Sequence, residues 1–187
     1  MAGMIQRTGH GISGKWRNLY LRFAYLTDGI ERSLVHILSR EVIVNSTVSM
    51  AENLKVSHYN DGSEIPTGYS NSEWGWLDMG AYAVYDDDPS NAEIYGNLYN
   101  YYAVDDNREI CPENYHIPTD DEWYVLLEYL GGAPFGSGEN WLIAGGKMKD
   151  VGTIEDGDGL WHTPNEGATN ESGFTAIPAG LRLIDGQ

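Results

Sequence analysis

The chain has 187 residues, with 28 acidic and 11 basic side chains and a formal net charge of -17. Its 41% hydrophobic content, including 13 tyrosines and six tryptophans, is too high for a disordered chain and is enough to bury a core. The negative charge argues against nucleic acid and anionic membranes, whose phosphates need Lys and Arg. No run approaches the ~20 apolar residues of a membrane helix.

The charge divides the chain. Residues 1–50 carry six basic and three acidic residues, whereas residues 51–187 carry five basic and 25 acidic ones. A boundary near Met50 is expected, with a basic N-terminal segment over 1–49 and an acidic domain over 50–187. The first residues lack the apolar run and small-residue cleavage site of a signal peptide. Gly9 to Lys15 nearly matches a phosphate-binding loop, but Trp16 stands where Ser or Thr would hold magnesium, so a glycine-rich lead-in is expected. Trp16 to Leu26 fits a helical stripe and a strand alternation equally well. Ile30, Leu34, Ile37 and Leu38 form a cleaner helical stripe.

In the acidic part, Ala81 to Tyr85 reads as a short aromatic strand that ends at Asp86-Asp87-Asp88-Pro89. Leu98 to Val104 reads as a second buried segment. Asp120 to Leu130 is the clearest element. Thr119 is a natural N-cap, and Glu122 completes a capping box. Trp123, Leu126, Leu127 and Leu130 form the apolar face, and Gly131-Gly132 supplies the stop. Ile177 to Leu183 is a third buried segment. The expected class is α+β, loop-rich, with few short antiparallel strands and one well-capped helix near 120–130.

Tests for catalytic and metal chemistry return no site residue. The five histidines (10, 36, 58, 116 and 162) are scattered, without the i, i+4 spacing of a helical zinc site. No G-x-S-x-G elbow occurs. A single cysteine, Cys111, leaves no disulfide framework within the chain and no cysteine-rich zinc site. Asp156 and Asp158 hint at a calcium loop, but Leu160 occupies the third ligand position, so a solvated acidic turn is expected. Asp86-Asp87-Asp88 reads the same way. The aromatic residues suit either a sugar platform or core packing, with packing the default. No catalytic, cofactor-binding or metal-binding residue is therefore assigned, and no cofactor is expected.

Several phrases together resemble a known family. They are Met50 to Val56 (MAENLKV), Tyr95 to Val104 (YGNLYNYYAV), Cys111 to Trp123 (CPENYHIPTDDEW), Ala144 to Lys149 (AGGKMK) and Gly167 to Gly180 (GATNESGFTAIPAG). In that order they resemble the Fibrobacter succinogenes major paralogous domain (FISUMP), over about Met50 to Arg182. The resemblance implies a C-type-lectin-like fold, akin to that of the formylglycine-generating enzymes, in an extracellular or cell-surface bacterial protein. It implies that the phrases themselves are architectural. Two departures stand out. Ser49 replaces the Trp that usually precedes the first phrase, though Val42 to Val48 could still supply the strand. The closing strands and second cysteine of the family would lie beyond Gln187, which implies that the domain over 50–187 is incomplete and that Cys111 is half of a disulfide. A plain buried thiol is the alternative. An exposed edge would then favour low stability or self-association.

The functional expectation is a non-enzymatic surface or secreted domain for adhesion or ligand binding, with an unknown glycan or protein as partner. A phage-associated or variable display module on the same scaffold is the alternative. A formylglycine-generating-type enzyme is remote, because that chemistry needs a redox cysteine pair. Asn170 and Glu171 could ligate calcium or could shape their loop.

Overall fold

The computed structural model describes residues 18–19, 41–44, 47–50, 52–112, 115–132 and 141–183. The glycine-rich lead-in at Gly9 to Lys15 and the apolar stripe from Ile30 to Leu38 lie outside these residues, as does most of Trp16 to Leu26. The described chain is a mixed α/β structure with few short antiparallel strands and several helices.

Two small sheets are present among the described residues. Strands β2 (Glu41–Val44) and β3 (Thr47–Met50) pair antiparallel, with Glu41 opposite Met50. This places strands in the expected stretch from Val42 to Val48. The second sheet has the order β1-β5-β4. Strand β5 (Asn97–Asn100) is its centre, flanked antiparallel by β1 (Asn18–Leu19) and β4 (Tyr82–Val84). All four residues of β5 are buried.

The expected segment from Leu98 to Val104 is not one element. It changes from β5 to a short helix, α3 (Tyr101–Val104), at Asn100. The Asn100 side chain accepts from the Ala103 amide (3.0 Å) and caps that helix. It also accepts from the Ala81 amide (3.0 Å) and donates to the Met79 carbonyl (2.8 Å). One buried amide thus ends a strand, starts a helix and pins the neighbouring chain.

Two further helices precede it, α1 (Asn71–Trp74) and α2 (Asn91–Tyr95). Helix α1 carries a second capping box, built by Ser70 and Glu73. The expected long helix is α4 (Asp120–Tyr129). Its Thr119 hydroxyl accepts from the Glu122 amide (3.3 Å), and Glu122 accepts from the Thr119 amide (2.7 Å). At its other end Gly131 has φ +89°. The Gly132 amide donates to Leu127 O (2.8 Å) and the Gly131 amide to Glu128 O (3.0 Å), so both glycines satisfy the last turn. Helix α5 (Trp141–Met148) has no counterpart among the expected elements. Its glycine pair, Gly145-Gly146, hid it from a propensity reading. Gly146 is needed for approach, since a Cβ there would collide with Gly167 O.

Among the described residues three buried clusters fill the interior. Tyr99, Tyr59, Ile65, Ile110, Leu54 and Cys111 belong to the first. Trp74, Ala81, Ala83 and Leu98 form the second. Leu126, Leu130, Ala144, Met148, Phe174 and Ala176 form the third, between α4 and α5. The expected Leu126 and Leu130 are buried there, with Trp123 and Leu127 packed against it. Ile177 to Leu183 forms no strand. Its most buried residue is not an apolar one but Arg182, at 6% exposure.

Candidate functional site

The burial of Arg182 marks a candidate site among the described residues. A guanidinium cannot be taken from water without partners. Its Nη2 donates to Tyr69 O (2.9 Å) and Asn71 Oδ1 (2.8 Å), and its Nη1 donates to Asp87 Oδ1 (3.3 Å). Its plane also stacks on the buried Trp74 ring, with Cζ 4.7 Å from the centroid. The guanidinium therefore ties the end of the described chain to α1 and to the turn that follows β4.

That turn has an unusual backbone. Tyr85–Asp87 is a single 3-10 turn, yet Asp86 and Asp87 both have positive φ, 58° and 52°. Asp tolerates the left-handed region better than most residues but at a cost. The three consecutive aspartates have separate tasks. Asp88 accepts from the amide and hydroxyl of Ser90 and so anchors the approach to α2. Asp87 pairs with Arg182. Asp86 makes no hydrogen bond or ion pair among the described residues. Gly180 crosses the Tyr85 ring so closely that a Cβ would lie 2.6 Å from Cδ2.

Together these residues enclose an open cleft of about 220 Å³. Asn71, Tyr85, Asp86, Asp87 and Arg182 give it a polar side, while Val84, Leu98 and Leu181 give it an apolar one.

The other residues singled out from the sequence serve their own loops. Asp156 accepts from the Thr153 hydroxyl (2.6 Å), and Asp158 from the Thr153 amide (2.8 Å), so these carboxylates fold the acidic turn. Asn170 accepts from the Thr175 amide (2.8 Å) and donates to its hydroxyl (3.1 Å), while Glu171 pairs with Lys147 at 3.7 Å. Among the described residues no three His, Cys, Asp or Glu side chains gather as a metal site would require. His116 meets Glu122 (2.9 Å) and His162 meets Glu155 (2.7 Å). The His162 contact, with the Thr163 amide, holds the Glu155 carboxyl well below its ordinary range, at about 2. Cys111 is a free, buried thiol, pushed up to about 12 by burial and then by Glu109. A thiol so raised is protonated at neutral pH and inert as a nucleophile.

Sequence reasoning missed the cleft. Asp86 and Asp87 lie in an exposed acidic turn, as expected, but the expected buried segment over 177–183 buries only Arg182. One signal was present: Arg182, one of five basic residues in the acidic part, interrupts an otherwise apolar run.

The five family-like phrases map mostly onto the scaffold, with Leu98 of the second lining the cleft and Gly180 of the fifth packing on Tyr85. Asn53 donates to Tyr95 O (2.7 Å), and a Cβ on Gly96 would meet Asn53 Cβ at 2.6 Å. The amides of Thr169, Ser172 and Ala176 donate to the carbonyls of Gly146, Lys147 and Met148, which seats the 167–180 loop on α5. The family model described as the Fibrobacter succinogenes major domain matches residues 42–187. No curated protein and no solved structure matches the chain. No helix among the described residues is long and apolar enough to cross a membrane.

Proposed function

Because the chain belongs to the Fibrobacter succinogenes major domain family, we propose that it is a non-enzymatic binding domain of a bacterial surface or secreted protein. Its task is adhesion or ligand capture, with a glycan or a protein as the ligand. We read the fold as C-type-lectin-like, a reading supported by short antiparallel strands, a capped helix and long irregular loops. That analogy alone assigns no activity.

The observation that carries the proposal is the cleft around Arg182. It is concave, half apolar and lined by a few convergent polar groups, as ligand sites are. Arg182 and Asp87 pair with each other instead of setting a nucleophile beside a base. The buried, protonated Cys111 also speaks against thiol chemistry of the formylglycine-generating kind.

The test is direct. The purified chain is applied to a glycan array and, in parallel, to an array of purified extracellular proteins. A selective, saturable signal on either is expected. No signal on both would sink the binding reading, and turnover of a peptide cysteine with copper supplied would replace it with an enzymatic one.

A further inference from the structure

We propose that the Arg182 cleft takes a single neutral sugar ring and rejects anionic sugars. The inference rests on the binding reading above and names the ligand class of that site. It comes from counting the hydrogen-bonding groups that the fold leaves unused.

Arg182 consumes Asn71 Oδ1 and Asp87 Oδ1. Asn71 Nδ2 makes no bond among the described residues and remains a donor. Asp87 Oδ2 and both oxygens of Asp86 remain acceptors, and the Tyr85 hydroxyl is unused as well. The cleft therefore offers donors and acceptors together, along an apolar side of Val84, Leu98 and Leu181. A ligand hydroxyl both donates and accepts, so a ring carrying several hydroxyls can meet all of these groups while its C–H face covers the apolar side. An ammonium is a donor only. It would satisfy Asp86 but leave the Asn71 amide unmet.

Charge and size narrow the class further. Two carboxylates face one guanidinium, so the lining is net negative, and a uronate, sialate or sulfate would enter against that charge. A volume of about 220 Å³ lies below the ~300 Å³ at which drug-sized pockets begin, which suits one ring at a chain end better than an oligosaccharide along its length.

Asp86 provides the test, because it has no structural partner to lose. Its φ of 58° suits glycine, so Asp86→Gly removes the carboxylate while easing the backbone. The full chain is titrated by ligand-observed NMR and calorimetry with neutral hexoses and pentoses, with glucuronate and with an Nα-acetyl-lysine amide. A melt of each variant checks folding. One or more neutral sugars should bind, and glucuronate should not. Asp86→Gly should weaken that binding at least about tenfold, the loss expected for a hydrogen bond to a charged group, while melting no lower than the parent. Gly180→Ala, which drives a methyl against Tyr85, should also weaken it.

Other outcomes overturn the inference in distinguishable ways. Sugar binding that ignores both substitutions places the ligand elsewhere, though the binding function stands. Capture of the lysine amide or glucuronate, lost in Asp86→Gly, keeps the cleft and rejects the neutral ring. No binding of any probe, together with silent arrays, removes both readings.

Discussion

The region around Asn100 and the α4–α5 region solve the same problem by different means. Each must hydrogen-bond its backbone while burying apolar side chains. Helix α4 does so within its own sequence. Thr119 and Glu122 satisfy its first amides, and Gly131-Gly132 satisfies its last carbonyls. The region around β5 has little regular backbone to rely on, so buried side chains replace the ladder. Asn100 serves Ala81, Ala103 and Met79, while the Tyr99 hydroxyl donates to Val56 O (2.6 Å) and Asn60 donates to Cys111 O (2.8 Å). The contrast teaches that a loop-rich core is specified by a few buried polar residues, whereas a helix pair is specified by its apolar face and its ends.

Substitutions should break the two regions unequally. Asn100→Ala strands two buried amides, each at ~1–3 kcal/mol, and frees one part-buried carbonyl. We expect a loss of about 4 kcal/mol or more by chemical denaturation, the largest effect of the set. A loss under ~1 kcal/mol would mean that water replaces the side chain and that the pinning account is wrong. Leu126→Ala leaves a cavity between α4 and α5 beside Phe174 and Met148, and should cost about 3 kcal/mol in the same measurement.

Finer tests address the ends of α4. Thr119→Ala removes the N-cap acceptor and should cost about 1 kcal/mol, with Thr119→Ser restoring most of it. Equal costs for Ala and Ser would show that the capping box contributes nothing. The smallest effect concerns the loop beside α5. The Glu155 carboxyl sits at about 2, against an ordinary value of 4.5, chiefly because His162 and then the Thr163 amide bond to its charged form. A depressed carboxylate adds stability above its unfolded value and loses it as pH falls through its folded one. That contribution should therefore be complete above about pH 5 and fade toward pH 2. Carboxyl-detected NMR should report the low titration, and Glu155→Gln should abolish the local pH dependence while leaving Asn100 and Leu126 untouched.

Legibility followed the range of the interactions. The α4 helix could be read from Thr119 to Gly132 because its caps, apolar face and stop all lie within one short stretch. Tyr82–Val84 was readable for the same reason, as an aromatic run closed by aspartates. The segment from Leu98 to Val104 was legible as buried, but not its change of element, because the Asn100 side chain, bonded to a residue nineteen positions away, turns the strand into a helix. The α5 helix misled in the opposite direction. Gly145-Gly146 opposes a helix locally but admits the 167–180 loop against it. The candidate site was the least legible part. Nothing near Asp86 indicates that Arg182 will arrive, and nothing near Arg182 indicates Asn71.

The sequence alone determined the class of the protein, its acidic character, its family and its best helix, because composition, ordered phrases and capping are local or additive properties. It also determined that Cys111 has no partner cysteine within these residues. Tertiary structure decided where the candidate site lies. The contacts of Arg182 with Asp87, Asn71 and Tyr69 span 95 to 113 residues. A guanidinium enters the interior only where an amide, a carboxylate, a carbonyl and an aromatic face already converge. That convergence is made by the packing of Trp74 and Leu98 and by the crossing of Gly180 over Tyr85, so no single stretch of chain contains it.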